Sequence, residues 1–215
     1  DLIQRALLPR SAPVLDGYSV HVVYRSSQNV GGDLYDIANL NNEHAAFYLA
    51  DAAGHGVSAA MLAVLFKNRL HGLDNPAAQP LSPENVLKEL NRSLMEECRA
   101  PGLFVTAIYG LLNTKTRELS LASAGHPPAI LCRRQGDPEA IYRTGPALGI
   151  MEACSFGVRS VTLQPGDRLL LFTDGLCDPL GGCDAMSTAD LVALLSDTRL
   201  QDHEILDRLL EQSSR

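Results

Sequence analysis

Several features that define other protein classes are missing from this chain of 215 residues. No apolar run approaches the roughly 20 residues needed to cross a bilayer, and the N-terminus lacks the charged-then-apolar layout of a signal peptide. We therefore expect a cytoplasmic domain without membrane contact. Clustered basic residues are also missing, since Arg133-Arg134 is the only basic pair and the formal net charge is −7. This argues against nucleic acid as a partner, because phosphate contacts need clustered lysine and arginine.

The cysteines carry no recognisable framework. There are five, an odd number, and none has Cys-x-x-Cys spacing, so neither a disulfide scaffold nor a thiolate zinc site is indicated. We expect them to act as small buried hydrophobes or idle thiols. With 46% hydrophobic and 20% charged residues, the composition suits one globular domain with a sizeable core.

The stretch from Tyr48 to Phe66 is the one around which the chain is organised. Residues 45–50 predict a short apolar strand, Asp51 stands at its end, and an Ala- and Leu-rich helix follows from about Val57. Glycines between them allow a sharp turn, so little shields the carboxylate. Asp51 could therefore be a functional carboxylate. It could equally have a structural role, because an aspartate before Gly and Ser also opens turns or caps helices.

A second aspartate is predicted to lie beside the first. Residues 33–38 form a strand candidate, and the Asn39-Leu-Asn-Asn-Glu43 tract predicts a turn into strand 44–50, which makes an antiparallel hairpin. That pairing places Asp33 and Asp51 near the same end, facing one another. Like charges so close disfavour each other's ionisation, and a divalent cation is the simplest compensation. From spacing alone, one aspartate could equally point to solvent or cap a turn.

A third aspartate follows the apolar strand Arg168-Leu-Leu-Leu-Phe172. Asp174 precedes a glycine near the end of that strand. Asp51 likewise stands at the end of an apolar strand, with a glycine three residues later. Three carboxylates without cysteine are hard oxygen ligands, which select Mg²⁺ or Mn²⁺ rather than zinc or copper. His55 and His126 lie in glycine-rich turns. Either could serve as a general acid, but we favour a structural role, bonding the backbone of its own turn.

The remaining pattern adds one helix and one strand before residue 100, and from Phe104 onward it changes to short strands. Ser82-Pro-Glu is typical of a helix start, and that helix is expected to reach about Cys98. Residues 19–25 are rich in β-branched side chains and predict another strand. Later strands follow one another without intervening helices, which favours mostly antiparallel sheets. They are expected at residues 105–112, 118–122, 129–133, 158–163 and 168–172.

Six sequence blocks occur in an order that resembles a known family. They are Gly31-Gly-Asp-Leu-Tyr-Asp36, Asp51-Ala-Ala-Gly-His-Gly-Val-Ser-Ala-Ala60, Phe104-Val-Thr-Ala107, Ala122-Ser-Ala-Gly-His-Pro-Pro128, Leu148-Gly-Ile150 and Pro165-Gly-Asp-Arg-Leu-Leu-Leu-Phe-Thr-Asp-Gly175. Together they resemble the bacterial branch of the metal-dependent PPM (type 2C) serine/threonine phosphatases, that of sporulation stage II protein E and the Rsb stress-response phosphatases. The resemblance covers roughly residues 7 to 180, and six ordered blocks are far more specific than any one alone.

This resemblance implies an α+β fold, a four-layer α-β-β-α sandwich of two mostly antiparallel sheets flanked by helices. It implies two divalent cations, Mn²⁺ or Mg²⁺. Asp51 would bridge both, Asp33 and the backbone carbonyl of Ala52 would add ligands, and Asp174 would hold the second. A water activated by these cations would attack phosphorus, with no protein nucleophile.

The resemblance also implies a domain organisation and partners. Residues 1–9 are expected to be the end of an upstream linker helix, and residues 10–215 the phosphatase domain. The family's usual last strand with its Asp-Asp pair is not found before the sequence ends at Gln212-Ser-Ser-Arg215. Either the sequence is truncated there, or one metal would bind weakly. The implied partners are a phosphorylated STAS-domain protein as substrate, a sensory or receiver domain upstream in the same polypeptide, and a second copy in a homodimer.

The function expected on these grounds is hydrolysis of phosphoserine or phosphothreonine on a STAS-domain anti-sigma-factor antagonist, in a partner-switching pathway. Two alternatives remain. One is a pseudophosphatase that only binds a regulatory partner; retention of the three aspartates argues against it and the missing C-terminal aspartate argues for it. The other is a metal hydrolase of small phosphate esters, which would need an enclosed pocket.

Overall fold

The computed structural model describes residues 8–9, 13–25, 31–54, 56–73, 79–99, 102–142, 144–176, 188–197 and 199–212. The chain divides into two compact units. The first unit is Asp1–Val20, Tyr24–His126 and Arg143–Thr162, and the second is His21–Val23, Pro127–Tyr142 and Leu163–Arg215. The expected linker helix at residues 1–9 lies almost wholly outside the described residues.

Helices and strands of the described residues alternate in blocks rather than one by one. In chain order they are β1 Asp33–Asn39, β2 His44–Ala52, α1 Val57–His71, α2 Pro83–Leu94, β3 Val105–Asn113, β4 Glu118–Ala124, β5 Ala129–Cys132, β6 Glu139–Ile141, β7 Arg159–Thr162, β8 Arg168–Leu170, α3 Thr188–Ser196 and α4 Asp202–Gln212. Two short 3₁₀ turns add to these, at Glu97–Arg99 and Asp174–Leu176.

The first unit is built on a five-stranded antiparallel sheet in the order β1-β2-β3-β4-β7. The predicted hairpin is confirmed, since β1 and β2 pair directly with Asn39 opposite Ala45. Along both strands, alternate residues such as Leu34 and Ala50 are buried in the core with the helices. Because side chains alternate across a strand, their neighbours lie on the opposite face of the sheet.

Helices α1 and α2 cover one face of this sheet. Helix α1 buries residues at three- and four-residue spacing, and the Phe66 ring lies 5.5 Å from the Tyr48 ring, centroid to centroid. Helix α2 begins as predicted, with Ser82 as N-cap accepting from the Asn85 N–H at 3.4 Å. It ends at Leu94, before the predicted Cys98, and a 3₁₀ turn follows.

The second unit has a smaller antiparallel sheet in the order β6-β5-β8, with helices α3 and α4. Arg168 on β8 ties these helices to the sheet. Its guanidinium donates to Asp202 Oδ1 at 3.0 Å and to the carbonyl oxygens of Leu195, Asp197 and Leu200 at 3.0, 3.1 and 2.7 Å. The last carbonyls of a helix need such donors, so Arg168 fixes the end of α3 and the start of α4.

The predicted α+β class, with two antiparallel sheets and accompanying helices, is confirmed. Local differences have simple causes. Residues 19–25 form no strand, because β-branched side chains favour an extended backbone but do not by themselves form the backbone ladder that defines a strand. Strand β6 was missed because three residues are too few to show a period. No helix among the described residues is long and apolar enough to cross a membrane.

A buried amide joins helix α2 to a distant loop. Asn91, 2% exposed, donates to the Met151 carbonyl at 2.8 Å and accepts from the Gly149 N–H at 2.9 Å. We predict that Asn91→Ala lowers the free energy of unfolding by about 2–4 kcal/mol, because it leaves these two groups without their partner. Urea denaturation measures the change.

The matched control is Asn85→Ala, at an exposed position on the same helix. Alanine is the better helix former, so this variant should be neutral or slightly stabilising. Equal stability of the two variants would contradict the role given to Asn91.

Candidate active site

Asp33 and Asp51 face one another directly. They are partners in the β1–β2 register, one at the start of β1 and the other just before the end of β2. Since their neighbours Leu34 and Ala50 are buried against the helices, the two carboxylates lie on the other face of the sheet, where both are half-buried. The predicted pairing is thereby confirmed.

Asp51 is not a helix cap. Strand β2 continues through Ala52, so Asp51 lies within the ladder rather than after it. The N-cap of α1 is Gly56, which makes no side-chain capping bond. The structural alternative that remained open for this aspartate in the sequence, capping of the following helix, is therefore wrong.

A close backbone approach brings further oxygen atoms to this pair. The Ala52 N–H donates to the Gly32 carbonyl at 3.2 Å. A Cβ atom on Gly32 would overlap the Ala52 carbonyl oxygen and lie 2.9 Å from Asp51 Oδ1. Only glycine leaves room here, so the Ala52 carbonyl and the Asp51 carboxylate both border the same small space.

Tyr24 lies next to the two carboxylates, which the sequence did not indicate. Its hydroxyl donates to the Asp33 carbonyl oxygen at 3.4 Å, and its ring stands 6.4 Å from that of Tyr35. Burial, then the negative charges of Asp33 and Asp51, raise the pKa of Tyr24 to about 12. The phenol therefore stays protonated at neutral pH and senses the charge of both aspartates.

Thr106 and His126 complete this part of the sheet. Thr106 on β3 is the register partner of Asp51 on the side away from Asp33, and its hydroxyl contacts His126 Nδ1 at 3.0 Å. The imidazole is 3% exposed. The expectation for His126 was a bond to the backbone of its own turn; the contact its Nδ1 makes is with a side chain of the neighbouring strand. Thr106 itself was visible only as part of the Phe104-Val-Thr-Ala107 block.

Asp174 belongs to the second unit. It opens the 3₁₀ turn Asp174–Leu176, four residues after β8 ends, and is exposed. Its predicted role as a metal ligand stays a prediction. His55 lies outside the described residues. Within the described part of the chain, no group of three or more His, Cys, Asp or Glu side chains is placed to hold a metal ion.

The donors that do converge fit a hard divalent cation. Two carboxylates and a backbone carbonyl, those of Asp33, Asp51 and Ala52, are all oxygen ligands, the class that magnesium and manganese prefer. The described cysteines point the same way. Burial raises the pKa of the Cys98, Cys132 and Cys154 thiols, which disfavours the thiolates that a zinc site would use.

Comparison with known families agrees with this chemistry. The sequence profile of the family described as "Stage II sporulation protein E (SpoIIE)" matches residues 41–215. The chain belongs to this SpoIIE family. The resemblance to this family that was inferred from the six sequence blocks is thus confirmed.

A curated member related to this SpoIIE domain is the phosphoserine phosphatase RsbP of Bacillus subtilis (strain 168). It is 32% identical over 174 residues, which are 79% of this chain and 42% of RsbP. The chain thus spans less than half of that relative's length.

Solved structures share the fold of this SpoIIE domain. The SiaA-PP2C domain of Pseudomonas aeruginosa has a TM-score of 0.82 at 21% identity, covering 99% of this chain and 85% of that one. RsbX, solved in complex with magnesium, has a TM-score of 0.67 at 17% identity, covering 88% and 84%. At these identities the likeness shows the fold alone.

The tyrosine beside the carboxylates reports their charge. We predict that Asp33→Asn or Asp51→Asn lowers the pKa of Tyr24 from about 12 towards its ordinary value, because a negative charge that opposes phenolate formation is removed. Burial keeps it above that value. A pH titration of ¹³C-labelled tyrosine by NMR, assigned with Tyr24→Phe, measures the shift.

Asp36→Asn is the control. Asp36 lies on the opposite face of β1, 3.1 Å from Lys67 Nζ, and its charge raises the pKa of Tyr35 rather than that of Tyr24. It should lower the pKa of Tyr35 and leave Tyr24 unchanged. If Asp36→Asn shifted the pKa of Tyr24 as far as Asp33→Asn did, the placement of Tyr24 beside Asp33 and Asp51 would be wrong.

Proposed function

We propose that this chain hydrolyses phosphoserine or phosphothreonine on a protein, with two divalent cations, Mn²⁺ or Mg²⁺, as cofactors. The observation that carries the proposal is the register that sets Asp33 opposite Asp51, beside the Ala52 carbonyl. Membership of the SpoIIE family and the activity for which the relative RsbP is named support the reaction class.

The ligand roles follow the resemblance. Asp51 would bridge both cations, Asp33 and the Ala52 carbonyl would bind one of them, and Asp174 would bind the other. For Asp51 and Ala52 the support is that their oxygens border the same space at Gly32, and for Asp33 it is the position opposite Asp51 in the ladder. For Asp174 the support is the resemblance alone. The magnesium described with the fold relative RsbX agrees with the class of cation.

The chain's own residues position and shield the reaction. Cations held at these ligands would supply an activated water and would neutralise charge on the phosphoryl oxygens. Tyr24 keeps its proton at neutral pH, so it adds no negative charge where a phosphate must approach, and its hydroxyl remains a hydrogen-bond donor. No side chain is proposed as a nucleophile, so no phospho-enzyme forms.

The substrate we propose is a phosphorylated STAS-domain protein, an anti-sigma-factor antagonist in a partner-switching pathway. An upstream sensory or receiver domain in the same polypeptide, and a homodimer, are the proposed means of control. These partners rest on kinship with the Rsb phosphatases, of which RsbP is a named phosphoserine phosphatase.

The test is release of phosphate from a phosphoserine STAS protein and from an aryl phosphate, with Mn²⁺ or Mg²⁺ titrated in against an EDTA control. We expect turnover only with a cation. Asp33→Asn, Asp51→Asn and Asp174→Asn should each reduce turnover by at least ~100-fold, because the loss of a residue that only hydrogen-bonds to a metal ligand already costs ~10–100-fold in activity. Unaltered circular dichroism would show that the variants fold.

The control is Asp137→Asn, the same change at an exposed turn between β5 and β6, which should keep full activity. Unchanged activity of Asp51→Asn and Asp174→Asn would sink the two-cation assignment. If the unaltered chain showed no turnover with either cation, the proposed enzymatic activity would be wrong. The pseudophosphatase that only binds a regulatory partner would then be favoured.

A further inference from the structure

Three residues form a row across neighbouring strands of the first sheet. Asp33 on β1 is paired with Asp51 on β2, and Asp51 is paired with Thr106 on β3. Residues directly opposite one another in a ladder share a face, with Cβ atoms about 4.5–5.5 Å apart. The Thr106 hydroxyl therefore lies on the carboxylate face, beside the aspartate proposed to bridge the cations.

The buried imidazole of His126 contacts the Thr106 hydroxyl. Strand β4 ends at Ala124, and Gly125, with φ of 66°, turns the chain so that its N–H donates to the Gly145 carbonyl at 3.0 Å. A Cβ on Gly125 would lie 2.9 Å from the Ala147 nitrogen, so the turn packs closely against the backbone of residues 145–147. His126 follows directly, and its Nδ1 is 3.0 Å from Thr106 Oγ1.

The direction of this hydrogen bond decides what Thr106 offers Asp51. A hydroxyl has one proton to donate. If His126 Nδ1 carries a proton, the imidazole donates to Thr106 Oγ1, and the hydroxyl proton is available for the Asp51 carboxylate. If Nδ1 is bare, the hydroxyl donates to it and has no proton left for Asp51.

We propose that His126 is a positioning residue that acts through Thr106: Nδ1–H donates to Thr106 Oγ1, and the Thr106 hydroxyl donates to Asp51, holding its carboxylate in the orientation that a divalent cation needs. This relay rests on the proposed function. Outer partners of this kind orient metal ligands, and their loss costs ~10–100-fold in metal affinity. Neither residue touches the substrate in this proposal.

The first test is made on the unaltered chain. Long-range ¹H–¹⁵N NMR of the imidazole, without cation and with Mg²⁺, reports which ring nitrogen carries the proton. We expect a protonated Nδ1 in both conditions. A bare Nδ1 would overturn the relay, because Thr106 would then have no proton to give to Asp51. This measurement needs no variant and no substrate.

The second test compares cation affinity by calorimetry with Mn²⁺ in the absence of substrate. Thr106→Val keeps the shape but removes the hydroxyl, and His126→Phe removes the donor; each should weaken binding ~10–100-fold. Thr106→Ser, which retains the hydroxyl, should restore wild-type affinity. The double variant should be no worse than either single one, because the two residues act as one unit.

Wild-type affinity in folded Thr106→Val, or additive losses in the double variant, would overturn the relay. Turnover adds a separate readout. A positioning role predicts that kcat of Thr106→Val recovers at saturating cation with KM for the phosphoprotein unchanged. Because proton location and cation binding are read without substrate, failure of the relay remains distinguishable from absence of phosphatase activity.

Discussion

The ladder between β1 and β2 sets Asp33 opposite Asp51, and the rest of the candidate site depends on that register. Side chains alternate along a strand, so a slip of one residue would send one carboxylate into the helix-packed face. The slip is opposed by the core itself, because the slipped strand would also move its buried residue, Leu34 on β1 or Ala50 on β2, towards solvent. Hydrophobic burial on one face thus fixes the position of charge on the other.

The same ladder concentrates negative charge, and this charge affects the neighbouring tyrosine. Two half-buried carboxylates on adjacent strands repel each other, and their negative charges add to the effect of burial in raising the pKa of Tyr24. The close approach of the backbone at Gly32 places the Ala52 carbonyl oxygen beside the Asp51 carboxylate. A group of oxygens held in this way by the ladder is suited to a cation that offsets their charge.

Much of this arrangement was accessible from the sequence. The turn between Asn39 and Glu43 and the apolar run before Asp51 were enough to derive the hairpin and the facing aspartates, because both are local signals. The contact between Thr106 and His126 was not accessible. The two residues are 20 positions apart, and they meet only through a ladder and the left-handed turn at Gly125. Residues 19–25 failed as a strand for a related reason, since β-branched side chains favour a strand but do not supply its partner.

The order of strands in the first sheet has a consequence for how the protein is made. Strand β7 completes the sheet against β4, but residues of the second unit, Pro127–Tyr142, are synthesised between them. Until residue 162 has left the ribosome, β4 therefore presents an open edge, which is the feature of a nascent sheet most prone to pair with another chain. The loop that Asn91 holds, at Gly149 and Met151, emerges during that same interval. In the folded chain, its attachment to α2 therefore holds a segment that lies only a few residues before the strand that covers this edge.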